Sequence, residues 1–143
     1  MRIMFDANVV LDLLTDREPF TSDAAEIYGI CVENGYVCSV AAHTFPAMFY
    51  VLRKTHSRQV RLAVLLKTAT MFDVVKTDAQ AIQSAIGNEA FADFEDSLQH
   101  ECALAFSADY ILTRNKRDFA GSRVSVVDPP ELALLISKLA LEP

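Results

Sequence analysis

Apolar residues recur along this chain in two spacings that alternate from one end to the other. Short, nearly unbroken apolar runs predict buried strands at residues 2–6, 36–40, 72–75, 110–113 and 124–127. Between them, apolar residues recur at steps of three and four, which predicts helices at residues 8–14, 21–33, 41–54, 57–70, 77–87, 93–106 and 131–141. This alternation predicts a three-layer α/β/α sandwich on a mainly parallel sheet of about five strands, with residues 1–143 forming a single domain.

Capping and helix-breaking residues set the predicted helix ends. Thr21 can cap the second helix, and Thr77 with Gln80 has the spacing of a capping box. Pro46 fits the third helix only within its first turn. The pair Pro129-Pro130 predicts a turn before the last helix.

Composition and charge narrow the class of protein. A hydrophobic content of 52% predicts a compact fold, and the net charge of −6 argues against a broad basic surface for nucleic acid. An acidic enzyme can still bind phosphate groups through divalent cations, because the cations supply positive charge. The cysteines lack CxxC spacing and predict buried thiols in a reducing cytoplasm. The start of the chain is unlike a signal peptide, and no apolar run reaches membrane-spanning length, so we expect a cytoplasmic protein without a membrane partner.

Basic residues stand in two groups, and a solvated face is the simpler interpretation of each. The first group lies in the middle of the chain, at Arg53, Lys54, Arg58, Arg61 and Lys67. The second follows the fourth predicted strand, at Arg114, Lys116, Arg117 and Arg123.

Carboxylates stand where this predicted sheet would place a ligand. Asp6 ends the first strand, Asp93 and Asp96 open a helix, and Asp118 follows the fourth strand. Ligand sites of open α/β sheets lie beyond the carboxyl ends of the strands. Each acid also has a plain structural explanation: Asp6 and Asp93 can cap helices, and Asp118 can hold a turn. Together, however, they would repel one another, and Mg²⁺ relieves such repulsion while activating water for attack on a phosphodiester.

Other catalytic layouts have less support in the sequence. The histidines are scattered, and His100 is predicted to be a surface group or a neighbour of the acidic site. Neither GxGxxG nor GxxxxGK[ST] occurs, so a dinucleotide site and a P-loop are both unsupported. Asp6-Ala-Asn8 lacks the second aspartate of a haloacid-dehalogenase-type phosphotransfer motif.

Three segments, residues 4–12, 93–99 and 108–119, resemble the PIN domain, the metal-dependent ribonuclease fold of many VapC-type toxins. The resemblance covers nearly the whole chain. It implies four to five parallel strands, a site for Mg²⁺ or Mn²⁺ and cleavage of RNA. It also implies a small antitoxin protein that occludes the site, and we expect a homodimer.

The resemblance also implies roles for individual residues. Asp6 matches the first metal-binding acid, Asp96 the acid of the central helix and Asp118 the acid after the fourth strand. Asp93 is an additional ligand or a cap. Residues expected to support these acids or to bind RNA are Asn8, Thr113, Arg114, Asn115 and Lys116.

Two departures from the family pattern leave a second hypothesis open. Residues 41–47 lack the Glu that PIN domains commonly carry there, and Asn115 stands where many relatives have Asp. The first hypothesis is a metal-dependent ribonuclease, the toxin of a toxin–antitoxin pair. The alternative is a catalytically degenerate PIN module that binds RNA or a protein partner without cutting. A phosphatase or nucleotide-binding α/β protein is a third, weaker interpretation.

Overall fold

The computed structural model describes residues 1–142 and confirms the predicted α/β/α sandwich. All five strands are parallel and follow the order β3-β2-β1-β4-β5 across one sheet. The strands are β1 (Arg2–Phe5), β2 (Val37–Ala41), β3 (Asp73–Val75), β4 (Tyr110–Leu112) and β5 (Ser125–Val127). Because β1 lies between β2 and β4, its carboxyl end meets the end of β4 at the middle of one sheet edge.

The helices lie near the predicted positions. They are α1 (Ala7–Leu14), α2 (Thr21–Glu33), α3 (Thr44–Val51), α4 (Arg58–Met71), α5 (Ala79–Gly87), α6 (Phe94–Ala105) and α7 (Pro129–Leu139). Short 3₁₀ turns occupy Leu52–Lys54 and Lys116–Phe119. None of the helices in residues 1–142 has the length and apolar character needed to cross a membrane.

Two of the predicted caps are wrong. Asp78, rather than Thr77, caps α5, and its carboxylate accepts the N–H of Ala81 at 3.0 Å. Thr21 is the first residue of α2, and the N-cap position before it is Phe20, which makes no side-chain cap. At α5 two neighbouring residues have the chemistry of a cap. Asp78 takes the role because it directly precedes the first helical residue, Ala79, while the Thr77 hydroxyl accepts the His43 N–H at 3.3 Å.

The predicted turn at Pro129-Pro130 is instead the first turn of α7. Proline is compatible with that position because its missing N–H has no partner within the helix. Asp128 caps this helix, and Glu131 completes a capping box with it.

The predicted third helix is shorter than residues 41–54. Ala41 still belongs to β2, where it pairs with Val75, and the next N–H donates to the Val75 carbonyl at 2.8 Å. The helix therefore starts at Thr44, with Pro46 in its first turn as predicted. It changes to a 3₁₀ turn after Val51.

Alternation along the strands divides the core between the two faces of the sheet. Ile3 and Phe5 pack toward α1, α2, α3, α4 and α7, whereas Met4 packs toward α5 and α6. Both faces are covered, which explains the nearly continuous apolar runs of the central strands. The cysteines are free and buried, as predicted, at Cys31, Cys38 and Cys102.

Candidate functional site

Asp6 follows β1 directly, and hydrogen bonds hold both its backbone and its carboxylate. Its N–H donates to the Leu112 carbonyl at 2.9 Å, which ties it to the end of β4. One carboxylate oxygen accepts the Ala7 N–H at 2.8 Å and caps α1. The other accepts from the Thr113 hydroxyl at 2.8 Å and the Asn8 amide at 3.2 Å. Asp6 is therefore a helix cap, as predicted, and its carboxylate has a fixed direction.

Thr113 and Asn8 connect the ends of β1 and β4 around this carboxylate. The side-chain Nδ2 of Asn8 donates to the buried Thr113 hydroxyl oxygen at 3.1 Å. The side-chain Oδ1 of Asn8 accepts the backbone N–H of Arg114 at 3.1 Å. The Asn115 N–H donates to the same Thr113 oxygen at 3.0 Å. These bonds hold the turn after β4 against α1. Both side chains contact Asp6, where the sequence predicted supporting residues.

The first turn of α6 brings a second set of acids to this region. Asp93 is the N-cap, and one of its carboxylate oxygens accepts the Asp96 N–H at 3.0 Å. Asp93 is exposed, while Asp96 is half-buried. The cap predicted at Asp93 is confirmed, and its role as an additional metal ligand stays a prediction.

The pKa of Asp96 reflects the charges of the other acids in this region. Burial first, and then the negative charges of Asp93, Asp6, Asp118 and Glu95, together raise this pKa to about 7. Acids from β1, from α6 and from the turn after β4 therefore lie within electrostatic range of one another. Their charges act on one another as expected, and their assembly into one metal site stays a prediction.

The pKa of Asp6 is also raised above its ordinary value. Burial raises the pKa of its carboxyl group, and the charge of Asp118 adds to the effect. Hydrogen bonds from Thr113 and Ala7 and the charge of Arg114 act against that rise. The rise persists, so the folded protein holds this carboxylate at a cost that a bound cation would relieve.

Asp118 lies in the 3₁₀ turn Lys116–Phe119 and is exposed. Its N–H donates to the Asn115 carbonyl at 3.0 Å, which closes the turn. Phe119 anchors the turn in the core, with its ring 6.0 Å from that of Phe91. The exposed carboxylate is thus carried on an anchored backbone.

The donor chemistry fits a hard divalent cation, although the arrangement is open. Within residues 1–142, no three His, Cys, Asp or Glu side chains lie close enough together to hold a metal ion as they stand. In that same part of the chain, no Lys or Arg forms an ion pair with Asp6, Asp96 or Asp118. Carboxylate oxygens are the ligands that Mg²⁺ prefers, and it needs only one or two of them. Binding would draw these side chains together.

The carboxyl end of β2 supplies no acid. Thr44 is buried at the start of α3, and the ring Nδ1 of His43 lies 3.0 Å from the Thr77 hydroxyl oxygen. Burial lowers the pKa of His43. This side of the edge is therefore polar and uncharged at neutral pH, where the family commonly has a Glu.

Sequence reasoning assigned no role to Asp12. It is 1% exposed and accepts two hydrogen bonds from the guanidinium of Arg114, which also lies 3.8 Å above the Phe20 ring. Arg17 approaches the same carboxylate at 3.5 Å. An acid within the apolar run of residues 9–14 was the available signal, because a buried carboxylate needs a partner.

Both basic side chains predicted near the site are engaged by acids. Arg114 is bound to Asp12, and the Lys116 ammonium contacts Glu131 and lies 3.4 Å from Asp128. These pairs hold the turn after β4 to α1 and α7. A contact of either side chain with RNA stays a prediction.

His100 was predicted to be a surface group or a neighbour of the acidic site, and the surface position is wrong. Its side chain is fully buried, with Nε2 accepting the Arg123 N–H at 3.1 Å and the ring 4.9 Å from that of Phe91. The buried face of α6 is wider than its apolar residues suggest, because Gln99 and His100 are both inside it. Burial lowers the pKa of His100, which favours a neutral structural group.

Asp96→Asn should change how the stability of the metal-free protein depends on pH. The pKa of Asp96 is raised from 3.8 to about 7, so the folded state keeps a proton that the unfolded chain loses. In the wild type, the free energy of unfolding therefore falls as pH rises through this window and levels above it. Asn has no proton to lose, so this part of the fall should disappear. Denaturant unfolding in chelator across this pH range measures it.

Asp73→Asn is the matched control, because Asp73 is the first residue of β3 and lies at the amino edge of the parallel sheet, opposite to the carboxyl edge that Asp6 follows. It should keep the wild-type pH dependence. An equal change in both variants would show that the site acids are not its source.

The fold and the site together define a class of protein. It is an open α/β protein with an all-parallel sheet and acidic residues near the carboxyl ends of its central strands. The model of the PIN domain family matches residues 2–117, and the chain belongs to this family. The match includes Asp6 and Asp96 and ends one residue before Asp118. The resemblance found in the sequence is confirmed.

Known proteins resemble the chain over most of its length. Ribonuclease VapC1 of Aquifex aeolicus (strain VF5) is 21% identical over 119 residues, covering 80% of this chain and 82% of the relative. VapBC2 of Rickettsia felis, solved bound to a DNA fragment from its promoter, has a TM-score of 0.70 at 12% identity and covers 90% of this chain and 98% of that one. VapC20 of Mycobacterium tuberculosis, a sarcin-ricin loop cleaving toxin, has a TM-score of 0.64 at 13% identity, covering 76% and 86%. At such identities the solved structures show the fold.

Proposed function

We propose that this PIN-domain protein is a metal-dependent endoribonuclease that acts in the cytoplasm as the toxin of a toxin–antitoxin pair. The observation that carries the proposal is the convergence of Asp6, Asp96 and Asp118 at the carboxyl edge of the sheet. The names of similar proteins support it: a ribonuclease, a sarcin-ricin loop cleaving toxin and a toxin-antitoxin complex.

Asp6, Asp96 and Asp118 would hold Mg²⁺ or Mn²⁺, with Asp93 beside them. When bound, such an ion activates water and neutralises the charge that develops on the phosphodiester. Asp96 has to be deprotonated to act as a ligand, and its raised pKa makes that step depend on pH near neutrality.

The remaining polar residues orient this site. Thr113 and Asn8 both donate to the same oxygen of Asp6, so they set the plane of its carboxylate. Asn8 and Thr113 also bind the backbone of the turn that leads to Asp118. A change at either residue would move two of the three acids at once.

The alternative, a PIN module that binds without cutting, is favoured by one observation. Residues 41–47 hold no acid, and the described acids form no ready metal cluster. In both cases a small antitoxin protein and an RNA are the proposed partners. The homodimer stays a prediction.

Metal-dependent cleavage of RNA distinguishes the two functions. Purified full-length protein, incubated with end-labelled RNA, should produce discrete fragments with Mg²⁺ or Mn²⁺. Chelator should stop the reaction, and excess metal should restore it, because the carboxylates alone cannot activate water for this attack. Cleavage that continues in chelator would contradict the metal site. Binding of RNA without cleavage under either metal would establish the module.

A further inference from the structure

Charge is segregated along this chain. Residues 34–72 contain Arg53, Lys54, Arg58, Arg61 and Lys67 but no Asp or Glu. This segment therefore carries five positive charges in a protein whose net charge is −6. A positive region on an acidic protein is an electrostatic target for polyanions.

In the fold, this charge lies on one segment, the basic hairpin, which we define as residues 44–71. It consists of α3, the 3₁₀ turn and α4. Arg53, Lys54 and Arg58 are exposed at its tip. Across residues 1–142, none of these three cations is ion-paired. Arg61 differs, because it is half-buried and donates to a backbone carbonyl within the hairpin.

An aromatic surface accompanies the cations. Tyr50 is 62% exposed, and the guanidinium of Arg53 lies 3.6 Å from the centre of its ring. An exposed ring beside unpaired cations can stack a base while the cations bind phosphates. Single-stranded nucleic acids are bound by this combination, whereas an acidic protein partner would not need the exposed ring.

The tip lies one helix length from the acids. α1 starts beside Asp6 and spans about 12 Å. The chain just after α1 and the tip of the hairpin border a shared cleft of about 310 Å³, lined by Thr15, Arg17, Val51, Leu52, Thr55 and His56. A strand of a few nucleotides could reach from this tip to the carboxylates. Two of the cations nearer to the acids, Arg114 and Lys116, are already ion-paired, which leaves Arg117 as the exposed cation of that turn.

We propose that the basic hairpin binds the single-stranded segment of RNA that flanks the cleaved bond. Its tip cations contact phosphates, and Tyr50 stacks on a base. The inference rests on the proposed function and identifies the surface that holds its substrate.

Salt dependence of RNA binding tests the phosphate contacts. Asp6→Asn is used as the background, so that binding is measured without cleavage, and the probe is a fluorescent oligouridine of about 16 nucleotides. Each lost phosphate contact lowers the slope of log affinity against log salt by about 0.7 for a single strand. The triple variant Arg53→Ala/Lys54→Ala/Arg58→Ala should therefore lose about 2 from that slope, measured by fluorescence anisotropy.

A second triple variant controls for net charge. Lys76→Ala/Arg123→Ala/Lys138→Ala removes the same charge from exposed positions outside the hairpin and should nearly keep the slope. For the ring, Tyr50→Ala should weaken binding at least about fivefold, while Tyr50→Phe should stay near the background.

Two outcomes would overturn the inference. An equal loss in both triple variants would assign the effect to net charge, and an unchanged slope in the hairpin triple would assign the surface to a protein partner. A different result would contradict the proposed function without contradicting this inference. If the wild type never cleaves RNA while the hairpin variants still lose affinity, the inference stands for a binding module.

Discussion

Asp6→Asn and Asp96→Asn should each reduce RNA cleavage at least about a hundredfold, which corresponds to about 2.7 kcal/mol of transition-state stabilisation. Asn keeps the shape of Asp and remains a good helix cap, so the fold around Asp6 should survive. The substitution removes the negative charge that a divalent cation requires. Single-turnover cleavage rates at saturating Mn²⁺ measure the effect.

Thermal melting must accompany this experiment. Asp6→Asn should melt moderately below the wild type, because the Asn oxygen can keep the cap to Ala7 while its NH₂ group cannot accept from Thr113 and Asn8. Asp73→Asn, on the β3 edge, should keep both activity and stability. Full activity in Asp6→Asn or Asp96→Asn would refute the assignment of the site. A collapsed melting temperature would instead mean that the lost activity reports unfolding.

The strands and helices were predictable because their signals are local. Continuous apolar runs such as Tyr110–Leu112 identify strands covered on both faces, and they alternate with helical spacing along the whole chain. The carboxyl ends of parallel strands share one edge, so the meeting of Asp6 with the turn after β4 followed from topology. The acids of α6 joined them because that helix packs across the sheet.

Helix ends were less predictable, because they depend on competition between neighbours. Thr77 and Asp78 have the right chemistry for the same cap, and Asp78 takes it because α5 starts at Ala79, a boundary that the local sequence leaves open by one residue. Pro129-Pro130 fits a turn or a first helical turn equally well in sequence. The burial of His100 likewise depends on which strands and loops cover α6.

Long-range ion pairs are beyond any local pattern. Asp12 and Arg114 are 102 residues apart, and the sequence does not show which basic residue compensates a buried acid. Their contact appears only when β4 is placed beside β1 in register. The pair also changes the interpretation of Arg114, from a candidate RNA contact to a residue that holds the turn of Thr113.

Arg114→Ala should destabilise the protein by about 3 kcal/mol. The substitution leaves the Asp12 carboxylate buried without its two hydrogen bonds, and removing one partner of a buried ion pair typically costs this much or more. Arg17 remains 3.5 Å from Asp12, which places the expected loss at the lower end of the range. Arg114→Lys keeps the charge but not the forked geometry or the stacking on Phe20, so it should recover only part of the stability. Denaturant unfolding at neutral pH measures both variants.

Arg117→Ala is the control, because Arg117 is an exposed cation of the same turn and should change stability by less than about 0.5 kcal/mol. The double variant Asp12→Asn/Arg114→Ala should be more stable than the sum of the single changes predicts, since each single change already breaks the pair. Additive losses would show that Asp12 and Arg114 contribute independently. In that case the turn that carries Thr113 is held by its backbone hydrogen bonds to Asn8 rather than by the ion pair.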